Sequence, residues 1–289
     1  MNVARRPEEL ERVPRAVAIG TFDGVHLGHR RVIEAARAAE GRRTTVVTFH
    51  PHPRTILGNR VDLLSTINRR LELLAALGVE DTLLLEFSLD LARLEPEAFA
   101  ESVLRAVGTE VVFVGETFRF GRGARGDAAL LRELGFDVRL VQLFAGASSS
   151  AIRRLLHAGD VRGAAQLLGR PPEVEGTVVL GDQRGGTLGF PTANLSAEAD
   201  LLVPAFGIYA GFAAGHRAAV SIGTNPHYGG EERRIEAYLL DFTDDLYGER
   251  LVVELWERLR DEQVFDSEGE LVAAIEADVA RTRTSARPV

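Results

Sequence analysis

The sequence predicts an α/β domain followed by an all-β domain: a parallel sheet with flanking helices, then an antiparallel barrel and a C-terminal helix. Three observations carry this. Up to about residue 168, short apolar runs alternate with amphipathic helical patterns, the signature of βα units around a parallel sheet. From the turn-rich GRPPEVEG (169–176) onward, strand-like runs are separated by Gly and Pro instead of helices. A length of 289 residues is also long for one core and comfortable for two. The predicted domains are therefore 1–168 and 169–289.

In the first domain the strand candidates are 15–20, 44–49, 82–87, 110–115 and 137–143. Between them, helix starts are marked by Ser65 ahead of NRRLELLAALG, by Pro96 in a first turn and by Asp127 ahead of AALLREL. Ser148 or a neighbour and then Asp160 open two more. In the second domain the strand candidates are 174–180, 207–213, 218–222, 234–242 and 250–257. A last helix starts at Ser267, where Glu270 completes a capping box.

Composition narrows the chemistry. There is no cysteine, which removes disulfides, thiolate metal sites and a cysteine nucleophile. All 34 basic residues are arginine, so a P-loop lysine and a Schiff base are excluded, and phosphate must be held by Arg, His, backbone N–H groups or a metal ion. Of the net charge of −8, the first domain carries +2 and the second −10. Neither has the basic excess of a nucleic-acid binder. No apolar run reaches membrane-spanning length, so no membrane partner is expected and the cytoplasm is the expected address.

The strongest local motif is GTFDGVHLGH (20–29), directly after the first strand and leading into the first helix, where open parallel sheets bind phosphates. Glycines at 20, 24 and 28 are expected to let the backbone turn tightly. His26 and His29, three apart, can aim both imidazoles at one anion. A metal site formed by the pair with Asp23, or two surface histidines, would leave the glycine spacing unaccounted for. The second motif is GTLGFPTANL (186–195). Taken alone, its PTAN reads as a turn begun by Pro191 with Asn194 capping its own backbone. In RRIEAYLLDF (233–242), alternation sets Glu236, Tyr238 and Leu240 on one strand face and Ile235 and Leu239 on the other.

GxFDGxHxGH resembles the HxGH nucleotidyltransferases, whose sheet is Rossmann-like, and in its fuller form the bacterial bifunctional riboflavin kinase/FMN adenylyltransferase family, the prokaryotic FAD synthetases. FHPHP (49–53), VGETFRFGRGARG (114–126) and SSSAIRRLL (148–156) follow in family order, as do PTAN and the Glu236 strand, so the resemblance runs from about residue 16 to 281. It implies ATP, riboflavin, FMN and FAD as ligands, Mg²⁺ as cofactor, and a monomer or weak homo-oligomer.

By that resemblance His26, His29 and Arg153 are the catalytic groups of adenylyl transfer. Gly20, Phe22, Asp23, Gly24, Gly28, His50, Pro51, Thr117, Phe118, Ser149 and Ser150 border the nucleotide and flavin. Thr192 and Asn194 are the Mg²⁺ ligands of the kinase, Glu236 its general base, and Gly189, Pro191, Asn225 and Arg260 its ligand contacts. The chain departs from the family pattern at Thr117, usually Asp or Asn, at Ser150, usually Thr, at Tyr238, usually His, and at His227 and Tyr228. Three outcomes stay open: two working active sites, a kinase whose adenylyltransferase half is inactive, and a flavin-nucleotide binding protein without turnover.

Overall fold

In the computed structural model, which describes residues 1–142, 144–181, 184–224 and 233–289, the chain forms two compact units. The first comprises Met1–Val61 and Ile67–Ala147, the second Asp62–Thr66 and Ser148–Val289.

The first unit runs β1 (Asn2–Ala4), β2 (Arg15–Ile19), α1 (Leu27–Arg37), β3 (Arg43–His50), α2 (Pro53–Ile56), α3 (Ile67–Ala76), β4 (Asp81–Glu86), α4 (Leu89–Arg93), α5 (Pro96–Phe99), β5 (Thr109–Gly115), α6 (Ala128–Glu133) and β6 (Asp137–Val141). The sheet order is β1-β4-β3-β2-β5-β6, and every pairing is parallel. Alternation along β2 feeds both faces. Val17 and Ile19 pack with Phe99, Leu104 and Leu131 on one side, while the small Ala16 and Ala18 admit Val32 and Ile33 of α1 on the other. β1 was not among the expected strands, because three residues with two apolar ones give no periodic signal. After β2 the chain crosses to β3, whereas β5 and β6 lie on β2's other side. The carboxyl ends of β2 and β5 therefore flank the topological switch point, where this class of sheet binds ligands.

At the opposite end of the sheet, Arg15 and Asp81 are both buried and paired. Arg15 also donates to Thr45 Oγ1 at 2.7 Å and to Val107 O at 2.9 Å, and Arg43 Nε lies 2.7 Å from Asp81. The guanidinium thus ties β2, β3 and β4 together with the turn before β5.

The second unit contains α7 (Ser149–His157), α8 (Val161–Leu168), β7 (Glu173–Val179), α9 (Arg184–Thr187), β8 (Ala193–Ser196), β9 (Gly207–Ala213), β10 (His216–Thr224), β11 (Arg233–Leu239), β12 (Arg250–Arg260) and α10 (Glu268–Thr284). The six strands close a barrel in the order β10-β11-β8-β7-β12-β9, antiparallel at each described pairing. Its interior holds Val178, Val220, Ile222, Ile235, Ala237, Leu239 and Val253, in one core with Ile152, Leu156 and Val161 of α7 and α8. These helices pack with the barrel, so the packing division falls after Ala147 although the sequence changes character only after Leu168. β8 was not expected, since four residues after a proline look like loop. The expected caps are present: Ser148, Asp160 and Ser267 each accept from a backbone N–H of their own first turn.

Asp62–Thr66 threads through the second unit as a strap. Leu63 bridges to Leu201, with Leu63 N donating to Asp200 O at 2.6 Å and Leu202 N to Leu63 O at 2.7 Å. Arg153 Nε donates to Asp62 O at 2.6 Å, and Thr66 Oγ1 donates to the buried carboxylate of Glu175.

Arg15→Met removes one member of a buried ion pair and leaves Asp81 desolvated beside Arg43. The first unit is expected to lose about 3–5 kcal/mol of stability. Chemical denaturation should show its transition moving to lower denaturant while that of the second unit stays in place.

Candidate active sites

In the first unit the candidate site is built on the turn between β2 and α1. Left-handed backbone occurs at Phe22 (φ 49°), Gly24 (φ 76°) and Val25 (φ 41°). Of the three motif glycines, only Gly24 is used for its backbone freedom. Gly20 and Gly28 are there for close approach: a Cβ at Gly20 would lie 3.2 Å from the Phe22 ring, and one at Gly28 would lie 3.1 Å from His26 Cε1 and 3.4 Å from Ala147 O. A β-branched residue at positive φ is strained, and Val25 is held there by burial and by its N–H donating to Phe22 O at 3.0 Å.

His26 is the N-cap of α1, outside the helix proper, and its Nδ1 accepts from His29 N at 3.4 Å. Accepting there puts the His26 ring proton on Nε2. The two imidazoles stack with centroids 3.6 Å apart and 19° between planes, and the Phe22 ring meets His29 edge-on at 5.2 Å. His29 as a residue is partly exposed, but its Nδ1 is sealed and has no hydrogen-bond partner among the described residues. Burial holds the His29 pKa well below the ordinary imidazole value, and the nearby His26 and Arg70 push the same way. His29 is thus a neutral N–H donor at pH 7, at a helix start that already favours anions.

Asp23 lies beneath this turn, fully buried, with Arg70 Nη2 of α3 at 3.9 Å. Arg70 Nη1 also donates to Phe49 O at 3.2 Å.

The remaining sequence-predicted residues of the first half are distributed more widely. His50 and Pro51 follow β3 and are partly exposed, whereas His52 caps α2 through Nδ1, accepting from Arg54 N at 3.2 Å. After β5, Thr117 is exposed, and Phe118 stacks on Phe120 with centroids 5.5 Å apart. The arginines of that loop are not simply solvated, since Arg122 and Arg125 both pair with Glu95. Ser149, Ser150 and Arg153 belong to the second unit, on the first turns of α7.

On the barrel, strand register assembles the second candidate site. Arg260, Ile208, Ser221, Glu236, Asn194 and Val179 are successive cross-strand partners, a row running round the barrel on one face. Ile235, Ala237 and Leu239 point into the core, so Glu236 and Tyr238 stand on the outer face. Thr192 Oγ1 donates to Glu236 Oε2 at 3.4 Å, and Arg234 Nη1 lies 3.4 Å from Glu236 Oε1. Asn194 Nδ2 donates to Thr192 O at 3.4 Å, which fulfils part of the local turn reading and leaves its Oδ1 as the acceptor of the amide. The Asn194 amide lies flat on Gly181, where any Cβ would collide with it. Three oxygen-bearing side chains, Thr192, Asn194 and Glu236, therefore converge, a donor set suited to a hard divalent cation.

Two cavities meet at Thr192. The larger, about 290 Å³, is walled by Phe190, Ser221, Glu236, Tyr238 and Phe265 and covered by Leu271 and Ile275 of α10. The smaller, about 180 Å³, is lined by Val178, Pro191, Phe242 and the segment 243–247. Phe190 and Tyr238 meet edge to face at 5.4 Å. Arg260, expected as a ligand contact, spends Nε and Nη2 on buried Asp278 of α10 at 3.0 and 2.7 Å, which fixes the helix over the larger cavity. Gly189 has φ 87° in the turn before Phe190, and Asn225, His227 and Tyr228 lie outside the described residues.

Sequence reasoning missed Arg70, Asp278 and Phe190. For the first two a signal was present. Arg70 shares a helix face with Leu73, Leu74 and Leu77, and Asp278 falls on the Leu271–Ile275 stripe of α10. A charge on the apolar face of a helix marks a buried partner.

Comparison with known proteins agrees with this geometry. Residues 9–151 match the model of the FAD synthetase family, and residues 168–286 match that of the riboflavin kinase family. The bifunctional riboflavin kinase/FMN adenylyltransferase of Listeria monocytogenes is 36% identical over 96% of this chain and 94% of its own length. Those of Bacillus subtilis and Escherichia coli K12 are 33% and 34% identical, covering 93% and 98% of this chain and 91% and 97% of theirs. A crystal structure described as a macrolide-efflux protein from Streptococcus pneumoniae matches with a TM-score of 0.89 and 30% identity, over 98% of this chain and 99% of that one. The efflux role in that description is that protein's; here no helix among the described residues is long and apolar enough to cross a membrane. With both family models matched in chain order and full-length relatives above 30% identity, this chain belongs to the bacterial bifunctional riboflavin kinase/FMN adenylyltransferases.

Proposed function

We propose that the chain makes both flavin coenzymes, phosphorylating riboflavin to FMN on the barrel and adenylylating FMN to FAD, with release of pyrophosphate, at the β2–α1 turn. The observation that carries the kinase assignment is the convergence of Thr192, Asn194 and Glu236 at the junction of two cavities. Riboflavin takes the larger, whose aromatic and aliphatic walls suit a flat ring system and whose volume is near the lower end of small-molecule sites, about 300–1,000 Å³. ATP takes the smaller, with its terminal phosphate toward Thr192.

Glu236 accepts the proton of the ribityl 5′-hydroxyl as that oxygen attacks the γ-phosphorus in line. Thr192 and Asn194 would hold Mg²⁺, which when bound neutralises charge on the ATP phosphates. Arg234, beside Glu236, keeps the carboxylate aimed at the cavity. Asp278 and Arg260 keep α10 in place, so the flavin is shielded from water on that side.

In the first unit His26 and His29 donate N–H groups to the ATP phosphates as pyrophosphate leaves. A neutral His29 donates without needing a proton from solvent first, consistent with its lowered pKa. Gly20, Phe22, Asp23, Gly24 and Gly28 form the cradle, and His50, Pro51, Thr117 and Phe118 border it. For Ser149, Ser150 and Arg153 as ATP-phosphate ligands, support comes from the family resemblance and from their place on a capped helix start. We place the boundary between the two activities after Leu168, where the riboflavin kinase match begins. The protein works as a monomer or weak homo-oligomer in the cytoplasm, where its ATP is supplied.

Purified protein given riboflavin, ATP and Mg²⁺ should produce FMN and then FAD, followed by chromatography. FMN without FAD would instead support an inactive adenylyltransferase half, the outcome that Thr117 favours.

Glu236→Gln should lower FMN formation by about 10²–10⁴-fold with riboflavin affinity unchanged. His29→Ala should lower FAD formation by about 10²–10³-fold while FMN formation holds.

The pH dependence follows from the sign of the His29 shift. Its folded value lies below the unfolded value of about 6.5. The unfolded chain therefore binds the extra proton as pH falls below that point, and stability declines through this window. Thermal midpoints measured from pH 7 to pH 5 should fall less steeply in His29→Ala than in the unsubstituted protein.

A further inference from the structure

We propose that Arg70 is a positioning residue for adenylyl transfer, its guanidinium fixing Asp23 and with it the strained turn that aims His26 and His29. The inference rests on the reading of the β2–α1 turn as the adenylyl-transfer site.

The geometry argues for it in three steps. Arg70 and Asp23 are each 1% exposed, so both charges are out of water, and their closest approach is 3.9 Å. Arg70 is itself anchored, Nη1 donating to Phe49 O in β3, the strand beside β2. A planar fork can hold a carbonyl and a carboxylate at once, which a point-like ammonium cannot do equally well. Asp23 sits between Phe22 and Gly24, two of the three left-handed residues of the turn. Removing the guanidinium takes away a buried opposite charge 3.9 Å from the Asp23 carboxylate, which shifts that carboxylate toward taking up a proton or moving toward water. Either response releases the segment that sets Phe22 against His29 and His26 over Gly28.

The same cation also acts on protonation. The groups that act on His29 are His26, the N-cap ahead of its helix, and Arg70 of α3, while Asp23, from the turn, faces Arg70. A fixed positive charge beneath a stacked imidazole pair disfavours a second one. Arg70 thus helps keep His29 a neutral donor, and its removal should make His29 easier to protonate.

The test uses the full chain with Arg70→Met and Arg70→Lys, reading FMN formation, FAD formation across pH 5.5–8.5 and the His29 imidazole titration by NMR. FMN formation controls for the second unit, and the chemical-denaturation transition of the first unit serves as the folding control for the one that carries Arg70. For Arg70→Met, FAD formation should fall about 10²-fold, as expected for misplaced catalytic groups. Its acid limb and the His29 midpoint should both move to higher pH, with FMN formation unchanged. Arg70→Lys should return the His29 midpoint to that of the unsubstituted protein, because the charge is restored. It should recover FAD formation only in part, because the fork is not.

An Arg70→Met protein that makes FAD within about threefold of the unsubstituted rate overturns the proposal, since misplacement should cost far more. So does one that loses FAD formation with the His29 midpoint unmoved, which would be a merely structural loss. Should Arg70→Met fail to fold, Arg70→Lys decides: full FAD formation overturns the proposal, and partial formation with an unmoved midpoint supports it. Absence of FAD formation in the unsubstituted protein would count against the adenylyltransferase reading instead, and the His29 titration would still report on Arg70.

Discussion

A guanidinium withdrawn from water must be met by oxygen on more than one side, and both units of this protein are arranged around pairs that satisfy this condition. With no lysine in the chain, every buried side-chain cation other than a protonated imidazole is an arginine. Arg15 with Asp81 joins three strands at one end of the parallel sheet, and Arg70 with Asp23 underpins the turn at the other. On the barrel, Arg260 meets buried Asp278 between β12 and α10. Such pairs add little net stability over an apolar contact, but breaking one is expensive, so they fix geometry more than they add strength. The candidate sites lie beside the two pairs that reach helices, Arg70 on α3 and Arg260 facing α10.

The two sites use strand geometry in opposite ways. In the first unit the ligand groups lie beyond the ends of the strands, on turns that parallel strands must have and whose shape sheet pairing leaves unconstrained. That latitude is what allows positive φ at Phe22 and Val25. On the barrel the groups are borne by the strands themselves. The cross-strand row from Arg260 to Asn194 places Glu236 by hydrogen-bonded register, and a slip of one residue would turn it into the apolar core. The interior is filled, so chemistry is left to the outside wall, and α10 supplies the cover that a solvent-facing wall lacks.

Much of this was legible in the amino-acid order. Alternation separated Glu236 from Ile235 and Leu239 correctly, and the Ser148, Asp160 and Ser267 caps were visible because capping depends on a few adjacent residues. Short elements were not legible: β1 and β8 exist because a neighbouring strand offers its edge, which no local pattern reveals. Backbone freedom was expected at Gly20, Gly24 and Gly28 but is used only at Gly24, since close approach of the Phe22 and His26 rings at 20 and 28 is a three-dimensional fact. Arg260 was expected among the ligand contacts and does line the larger cavity, but its ion pair with Asp278 was not foreseen because that partner lies on a different element.

The strap Asp62–Thr66 makes the barrel unit discontinuous in the gene. During synthesis these five residues leave the ribosome long before Leu201, Arg153 and Glu175, their partners, have been made. Until those partners are made, the strap cannot form its native ties. A polypeptide started at Ser148 would possess every strand of the barrel yet lack this tie, leaving the Leu201 backbone unbridged and Glu175 without its hydroxyl donor.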